Sequence, residues 1–180
     1  MKVLGISGSL RRASFNTMAL HAAIQLAPVD MVIEPYDLRH IPMYDGDLEA
    51  AGMPDAVAAF RARIASADAV LIATPEYNSS LPGMLKNALD WASRPPSQPF
   101  DGKPVAIMGA SPSPLGTARC QLHLRQVLVG MSALVLNGPQ VLIGGASQRF
   151  DADGQLTDEA TRKFVAALLT GLEAWVKRLA

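Results

Sequence analysis

Residues 7–16 read SGSLRRASFN, and they stand between a short apolar run and a run that is typical of a helix. A polar loop between a strand and a helix can hold a phosphate, because the first N–H groups of a helix are unpaired and the helix dipole adds positive charge. Ser9 and Ser14 offer hydroxyl groups, and Arg11 offers a full positive charge. Asn16 is of a residue type that caps helices well. The stretch therefore predicts a phosphate site, with an ordinary strand-to-helix turn as the alternative.

Apolar runs of strand length alternate with helical patterns five times along the 180 residues, for which one domain, 1–180, is the default. The predicted strands are 2–7, 31–36, 69–73, 105–108 and 134–143, the last interrupted by Gly138-Pro139. The predicted helices are 16–27, 55–66, 82–92, 117–130 and 157–179, with a long loop at 40–54. Together with the phosphate-type loop, this alternation predicts a flavodoxin-like α/β three-layer sandwich. Its five-stranded parallel sheet has the order 2-1-3-4-5.

Composition restricts the classes of partner. The chain has 16 basic and 16 acidic residues, so its formal net charge is zero, which argues against a nucleic-acid partner. No apolar run approaches the ~20 residues of a membrane span, and the chain begins with a strand pattern rather than a signal peptide. The single cysteine, Cys120, cannot form an internal disulfide. We therefore expect a cytoplasmic protein with neither nucleic-acid nor membrane partners.

A sheet of this order brings three loops to one crevice at the carboxyl ends of its strands, namely 7–16, 75–80 and 110–116. The first loop suits a phosphate. The second offers the ring of Tyr77 and the amide of Asn78, and the third is rich in small residues and proline. A backbone of that kind can lie close to a flat ligand. A phosphate at one end and a planar heterocycle at the other describe a mononucleotide such as FMN.

Other phosphate and metal motifs are missing from the sequence. No Gly-x-Gly-x-x-Gly follows the first strand, and no Gly-x-x-x-x-Gly-Lys-[Ser/Thr] occurs. Cys120 and Arg125 have the wrong spacing for a phosphatase nucleophile, and Cys120 is expected to be a small buried apolar residue. His21 and His123 lack a cluster of further ligands, so no metal site is expected.

Three sets of residues resemble the NADPH-dependent FMN reductase family, most closely its chromate and quinone reductase subgroup. Their order and spacing agree with the family along nearly the whole chain. The sets are Gly8-Ser9-Leu10-Arg11 with Ser14 and Asn16, Thr74-Pro75-Glu76-Tyr77-Asn78 with its continuation to Arg94, and Ala118-Arg119-Cys120-Gln121 with His123-Leu124-Arg125-Gln126.

The resemblance implies non-covalently bound FMN, a hydride donated by NADPH or NADH, and a quinone or similar small molecule as electron acceptor. It also implies homodimers that pair into tetramers, with the helix around Lys86–Trp91 near an interface. No catalytic side chain is implied, because the cofactor carries the chemistry. Carried over to this chain, the FMN phosphate is surrounded by Ser9, Arg11, Ser14, Phe15 and Asn16. The rest of the cofactor is lined by Pro75, Glu76, Tyr77, Asn78 and Ser111, with Glu76 expected to act through its backbone.

The third loop, Ala110–Thr117, departs from relatives that are often richer in glycine. Its two prolines stiffen it, and we expect the side chains of Ser113 and Thr117 to occupy space near the flavin ring. Two other functions remain open, and the altered third loop favours only the second of them. One is a flavodoxin-like electron carrier without its own nicotinamide site, although carriers commonly use an acidic docking face and this chain is neutral. The other is a non-redox binding module that has lost the flavin.

Overall fold

Strands and helices alternate along the chain, and the computed structural model describes residues 1–179. The strands are β1 (Lys2–Ser7), β2 (Val32–Tyr36), β3 (Ala69–Ala73), β4 (Pro104–Ala110), β5 (Leu134–Val135) and β6 (Val141–Ile143). The helices are α1 (Phe15–Gln25), α2 (Gly46–Ala51), α3 (Asp55–Ser66), α4 (Gly83–Ala92), α5 (Ala118–Gly130) and α6 (Glu159–Leu179). Among residues 1–179, no helix is long and apolar enough to cross a membrane.

All strand pairs in the sheet are parallel, and its order is β2-β1-β3-β4-β5. The predicted flavodoxin-like order is confirmed. The fifth strand was predicted as one interrupted segment, but it is two short strands, which both pair with β4. The chain leaves the ladder around Gly138-Pro139 because proline has no N–H to donate.

Both faces of the sheet are covered, as a three-layer sandwich requires. On β3, alternate side chains point to opposite faces, so Val70 and Ile72 join one core cluster while Leu71 joins the other. One cluster packs under α1 and α6, and the other under α3, α4 and α5. Because the central strands are buried on both faces, the sheet holds the loops at its carboxyl edge in fixed positions.

The predicted loop 40–54 contains a helix that the sequence did not indicate. Helix α2 begins after Asp45, whose side chain accepts from the N–H of Asp47 at 2.8 Å, and none of its residues is buried. A helix without a buried stripe has no apolar periodicity to predict it from. The preceding residues are anchored to α4, since the Asn87 amide accepts from the Tyr44 N–H at 2.7 Å and donates to the carbonyl of Pro42 at 2.8 Å.

Candidate cofactor cleft

The loops that follow β1, β3 and β4 meet around an open cleft at the carboxyl edge of the sheet. All site residues predicted from the sequence line it except Asn78. Ala110 and Pro112 also line the cleft, although neither was singled out from the sequence. The lining residues are Ser9, Arg11, Ser14, Phe15, Asn16, Pro75, Glu76, Tyr77, Ala110, Ser111 and Pro112.

The start of α1 differs from the prediction in its capping residue. Ser14, not Asn16, is the N-cap, and its Oγ accepts from the N–H groups of Asn16 at 3.2 Å and Thr17 at 3.4 Å. Asn16 lies one residue inside the helix. Its Nδ2 donates to the Ala110 carbonyl at 2.9 Å, and its Oδ1 accepts from the Ala110 N–H at 2.8 Å. Asn16 therefore joins the first loop to the end of β4, and both of its amide atoms are used within the protein.

The backbone of the first loop presents unpaired donors. The N–H groups of residues 12–15 have no hydrogen-bond partner among residues 1–179. The first turn of α1 has no acidic residue, and the sequence contains no Asp or Glu between Ser7 and Val29. Unpaired N–H groups at a positive helix end, without a competing carboxylate, fit an anion such as a phosphate.

Arg11 lines the cleft and is exposed to solvent. Its Nη2 donates to the carbonyl of Ala13 at 2.7 Å, so the guanidinium folds back over the loop that carries the unpaired N–H groups. The N–H of Arg11 lies 3.3 Å from the Oγ of Ser9, which also lines the cleft. This arrangement keeps a full positive charge beside the donors of the helix end.

The second loop ends in a tight turn at residues 77–80. Tyr77 and Ser80 exchange two backbone hydrogen bonds of 3.1 and 3.0 Å. Asn78 and Ser79 both have positive φ, 50° and 63°, which is the signature of a type I′ turn. Asn78 stands at the tip of this turn, which explains why it does not line the cleft while the half-exposed ring of Tyr77 does.

Glu76 has a role that sequence reasoning missed. One carboxylate oxygen accepts from the N–H of Cys120 at 3.0 Å, and the other lies 3.3 Å from Nη1 of Arg119. The side chain is only 11% exposed and stands at the N-terminus of α5, where the helix dipole favours a negative charge. Thr117 is the N-cap residue of α5. Within the described part of the chain, its side chain accepts no hydrogen bond from the N–H groups of the first helical turn. Because Glu76 lies 44 residues before its partner, no local pattern could reveal the contact.

The expectation that the side chains of Ser113 and Thr117 occupy space near the flavin ring is wrong. Thr117 is fully buried, and its Oγ1 accepts from Nε2 of Gln121 at 3.1 Å. It fills the space beside Gly109, where an added Cβ would stand 2.0 Å from Thr117 Oγ1. Ser113 is exposed and does not line the cleft. The third loop therefore presents Ser111 and Pro112 to the cleft.

The other polar candidates lie outside the cleft. Cys120 is buried beneath it, and this burial raises the pKa of its thiol to about 11. Lys86 and Asp90, four residues apart on α4, form an ion pair with an N–O distance of 2.6 Å. Within residues 1–179, no group of three or more His, Cys, Asp or Glu side chains could hold a metal ion.

A cleft of this composition, at the switch point of a sheet with this order, defines a flavodoxin-like nucleotide-binding protein. The family model of NADPH-dependent FMN reductases matches residues 1–148. An NAD(P)H-dependent FMN reductase of Pseudomonas aeruginosa is 55% identical over 179 residues, which cover 99% of this chain and 97% of that protein. A quinone reductase of Escherichia coli is 41% identical over 182 residues, covering 99% of this chain and 97% of that protein.

Among solved structures, the fold is similar to that of FerB, a flavoenzyme NAD(P)H:(acceptor) oxidoreductase from Paracoccus denitrificans. The TM-score is 0.90 at 36% identity, and the match covers 98% of this chain and 97% of that one. The chain belongs to the NADPH-dependent FMN reductase family and is an oxidoreductase. The resemblance stated from the sequence is confirmed, and FMN and NAD(P)H are the cofactors of this family.

Proposed function

We propose that this chain is an FMN-dependent NAD(P)H:quinone oxidoreductase whose cleft holds the flavin. The observation that carries the proposal is the meeting of three loops in one cleft, with unpaired N–H groups of residues 12–15 at one end. Relatives that are named quinone reductase support the choice of acceptor. Similar acceptors, including chromate and azo compounds, belong to the same proposal because an exposed flavin can reduce them too.

The chemistry of the residues that line the cleft suits FMN. The N–H groups of residues 12–15, the hydroxyls of Ser9 and Ser14, and Arg11 would hold the phosphate. Pro75, Tyr77 and Ser111 would line the ribityl chain and ring, and Asn78 would stand beside Tyr77 at the rim. Phe15, Asn16 and Glu76 form parts of the walls. Asn16 bonds to the end of β4, and Glu76 bonds to the start of α5.

When bound, FMN supplies the redox chemistry, accepting a hydride from NADPH or NADH and passing electrons to the acceptor. The protein positions the two partners of that reaction. Pro75 and Pro112 give the cleft stiff walls, because proline fixes its own φ angle. The Glu76 carboxylate is already bonded at the N-terminus of α5. The chain therefore works by orientation and by backbone donors rather than by a dedicated acid or base.

The electron-carrier alternative predicts an acidic docking face and no reaction with nicotinamide nucleotides. The neutral charge of the chain and the reductase names of its relatives weigh against it. The non-redox alternative was supported only by the expectation that side chains of the third loop crowd the flavin site. Since Thr117 is buried and Ser113 lies outside the cleft, that support is gone.

An anaerobic absorption spectrum tests the proposal. The protein, loaded with FMN, is titrated with NADPH and then with 1,4-benzoquinone. We expect the flavin band to bleach with NADPH and to return with the quinone. A band that NADPH leaves unchanged would favour the carrier. The absence of any band after soaking with FMN would overturn the proposal in favour of a non-redox module.

We also propose a cytoplasmic homodimer or homotetramer. The single buried cysteine fits a reducing compartment. Helix α5 exposes Leu122 and Val129, which are 65% and 69% accessible, and a groove separates α5 from α4 beside Lys86. Apolar side chains of this kind favour a subunit contact along α4 and α5. Light scattering of the purified protein should give a multiple of the 19.1 kDa chain mass, and a monomeric mass would contradict the proposal.

A further inference from the structure

Helix α5 contacts the second loop along most of its length. Where the loop begins, Oγ1 of Thr74 lies 3.5 Å from Sγ of Cys120. Where the loop ends, Oγ of Ser80 lies 3.1 Å from Nδ1 of His123. Between these two points, the carboxylate of Glu76 accepts a hydrogen bond from the N–H of Cys120. The start of α5 therefore supports the loop that forms one wall of the cofactor cleft.

The Glu76 side chain is the anchor of this wall. Pro75 and Glu76 both line the cleft, but neither makes a backbone–backbone hydrogen bond within residues 1–179. The carboxylate accepts from the N–H of Cys120 at 3.0 Å, and that N–H has no other partner in the described chain. Since Thr117 does not cap α5 with its own side chain, Glu76 supplies the cap. One carboxylate thus satisfies the helix end and holds the backbone beside it.

The charge of Glu76 needs compensation at this position. It is the only carboxylate among the residues that line the cleft, and a flavin ring gains negative charge when it is reduced. Two like charges that share a site disfavour each other. Nη1 of Arg119 lies 3.3 Å from the carboxylate and 3.4 Å from Oγ of Ser79, so the guanidinium stands between both ends of the loop. Together with the dipole of α5, Arg119 offsets the negative charge of Glu76.

We propose that Glu76 is a positioning residue for the flavin, and that its pairing with Arg119 sets the reduction potential of the bound cofactor. The carboxylate holds the backbone of Pro75 and Glu76 at the cleft, and Arg119 offsets the charge that the carboxylate brings there. The inference rests on the proposed function, because it concerns the cofactor of that reaction. The side chain transfers no proton; it acts through the backbone that it holds and the charge that it carries.

The affinity of the apoprotein for FMN, measured by quenching of the flavin fluorescence, tests the anchor without any turnover. Glu76→Ala removes the hydrogen bond to Cys120 and should weaken FMN binding about tenfold. Glu76→Gln keeps an oxygen that can accept from the same N–H and should restore the affinity to within about threefold of the wild type. Asp158→Ala is the matched control, since Asp158 also accepts from a helix N–H, that of Thr161, and pairs with Arg149, but lies outside the cleft. It should leave FMN binding unchanged.

The reduction potential of the bound flavin provides the second readout, because a purely structural role would not move it in opposite directions. Equilibration with reference dyes of known potential measures it. Glu76→Gln removes a negative charge from the cleft, so it should favour the reduced flavin and raise the potential. Arg119→Gln leaves the carboxylate without its cation, so it should lower the potential. Each change should be about tenfold in the equilibrium constant, or about 30 mV for a two-electron couple.

The possible failures can be told apart. Wild-type affinity for FMN in Glu76→Ala, or equally weak binding by Glu76→Gln, would overturn the anchor. A potential that moves in the same direction in Glu76→Gln and Arg119→Gln, or in neither, would overturn the role of the charge pair. These results leave the proposed function intact, because the wild type still binds and reduces the flavin. A wild type that binds no FMN would overturn the proposed function and this inference together.

Discussion

Asn16 is the side chain that makes the first and third loops one structure. It is 3% exposed, and its amide both donates to and accepts from the backbone of Ala110. Removing a partner from a buried hydrogen bond costs more than making the bond contributes, because the remaining group is left without water. A residue first considered as a cap or a phosphate ligand therefore serves mainly to fix the geometry of the cleft.

Replacement of Asn16 by alanine should lower the free energy of unfolding by about 3 kcal/mol, since two bonds are lost and two buried backbone groups are left unpaired. Urea denaturation measures the change. Gln25→Ala, at the exposed end of the same helix, is the control and should alter stability by less than about 0.5 kcal/mol. If the two variants had the same free energy of unfolding, the hydrogen bonds between Asn16 and Ala110 would make no contribution to stability.

Cys120 should be chemically inert in the folded protein. Burial raises the pKa of its thiol to about 11, so at pH 8 almost no thiolate exists, and the sulfur is inaccessible. We expect a thiol-reactive disulfide reagent to label Cys120 only after unfolding in urea, and labelling should begin at the unfolding transition. Rapid labelling of the native protein at pH 8 would show that the thiol is not buried as described.

At the scale of elements, packing beside the cleft depends on a glycine in β4. A Cβ on Gly109 would lie 2.0 Å from Thr117 Oγ1 and 2.4 Å from the carbonyl oxygen of Thr74. The carbonyl belongs to backbone that leads directly into the second loop. Neither β4 nor this loop can shift without disturbing the buried sheet, so a side chain cannot be accommodated cheaply.

Gly109→Ala should therefore destabilise the protein by about 3 kcal/mol, the cost of forcing extra atoms into a packed core. It should also weaken FMN binding, because the second loop must move. Gly83→Ala is the control. Nothing lies within 4 Å of a Cβ at Gly83, and alanine in the first turn of α4 should be neutral or slightly stabilising. Thermal melts of both variants measure the difference, and similar melting temperatures would contradict the packing described for Gly109.

Sequence patterns predicted the buried elements well and the exposed or broken ones poorly. Strand β3 and helix α3 have the predicted bounds, because burial imposes a regular apolar pattern. Helix α2 has no buried residue and left no pattern. The fifth strand was drawn as one segment because its two parts, β5 and β6, are both apolar and pair with the same neighbour.

For the whole molecule, topology explains why so much of the cleft could be predicted. Once the strand order is known, the loops after β1, β3 and β4 must meet at one edge, so their residues become candidates together. The contacts that hold the loops were beyond prediction, since Asn16 and Ala110 are 94 residues apart and Glu76 and Cys120 are 44 apart.

The central claim is that the cleft recognises the phosphate of FMN, and the dissociation constants of FMN and riboflavin for the apoprotein test it most directly. Riboflavin has the same ring but no phosphate. The account predicts that FMN binds about 100-fold more tightly, which corresponds to about 2.7 kcal/mol. Arg11→Ala should narrow that difference about tenfold, whereas Arg12→Ala, which changes a neighbouring arginine outside the cleft, should leave it intact. Equal affinities of the wild type for FMN and riboflavin would contradict the account.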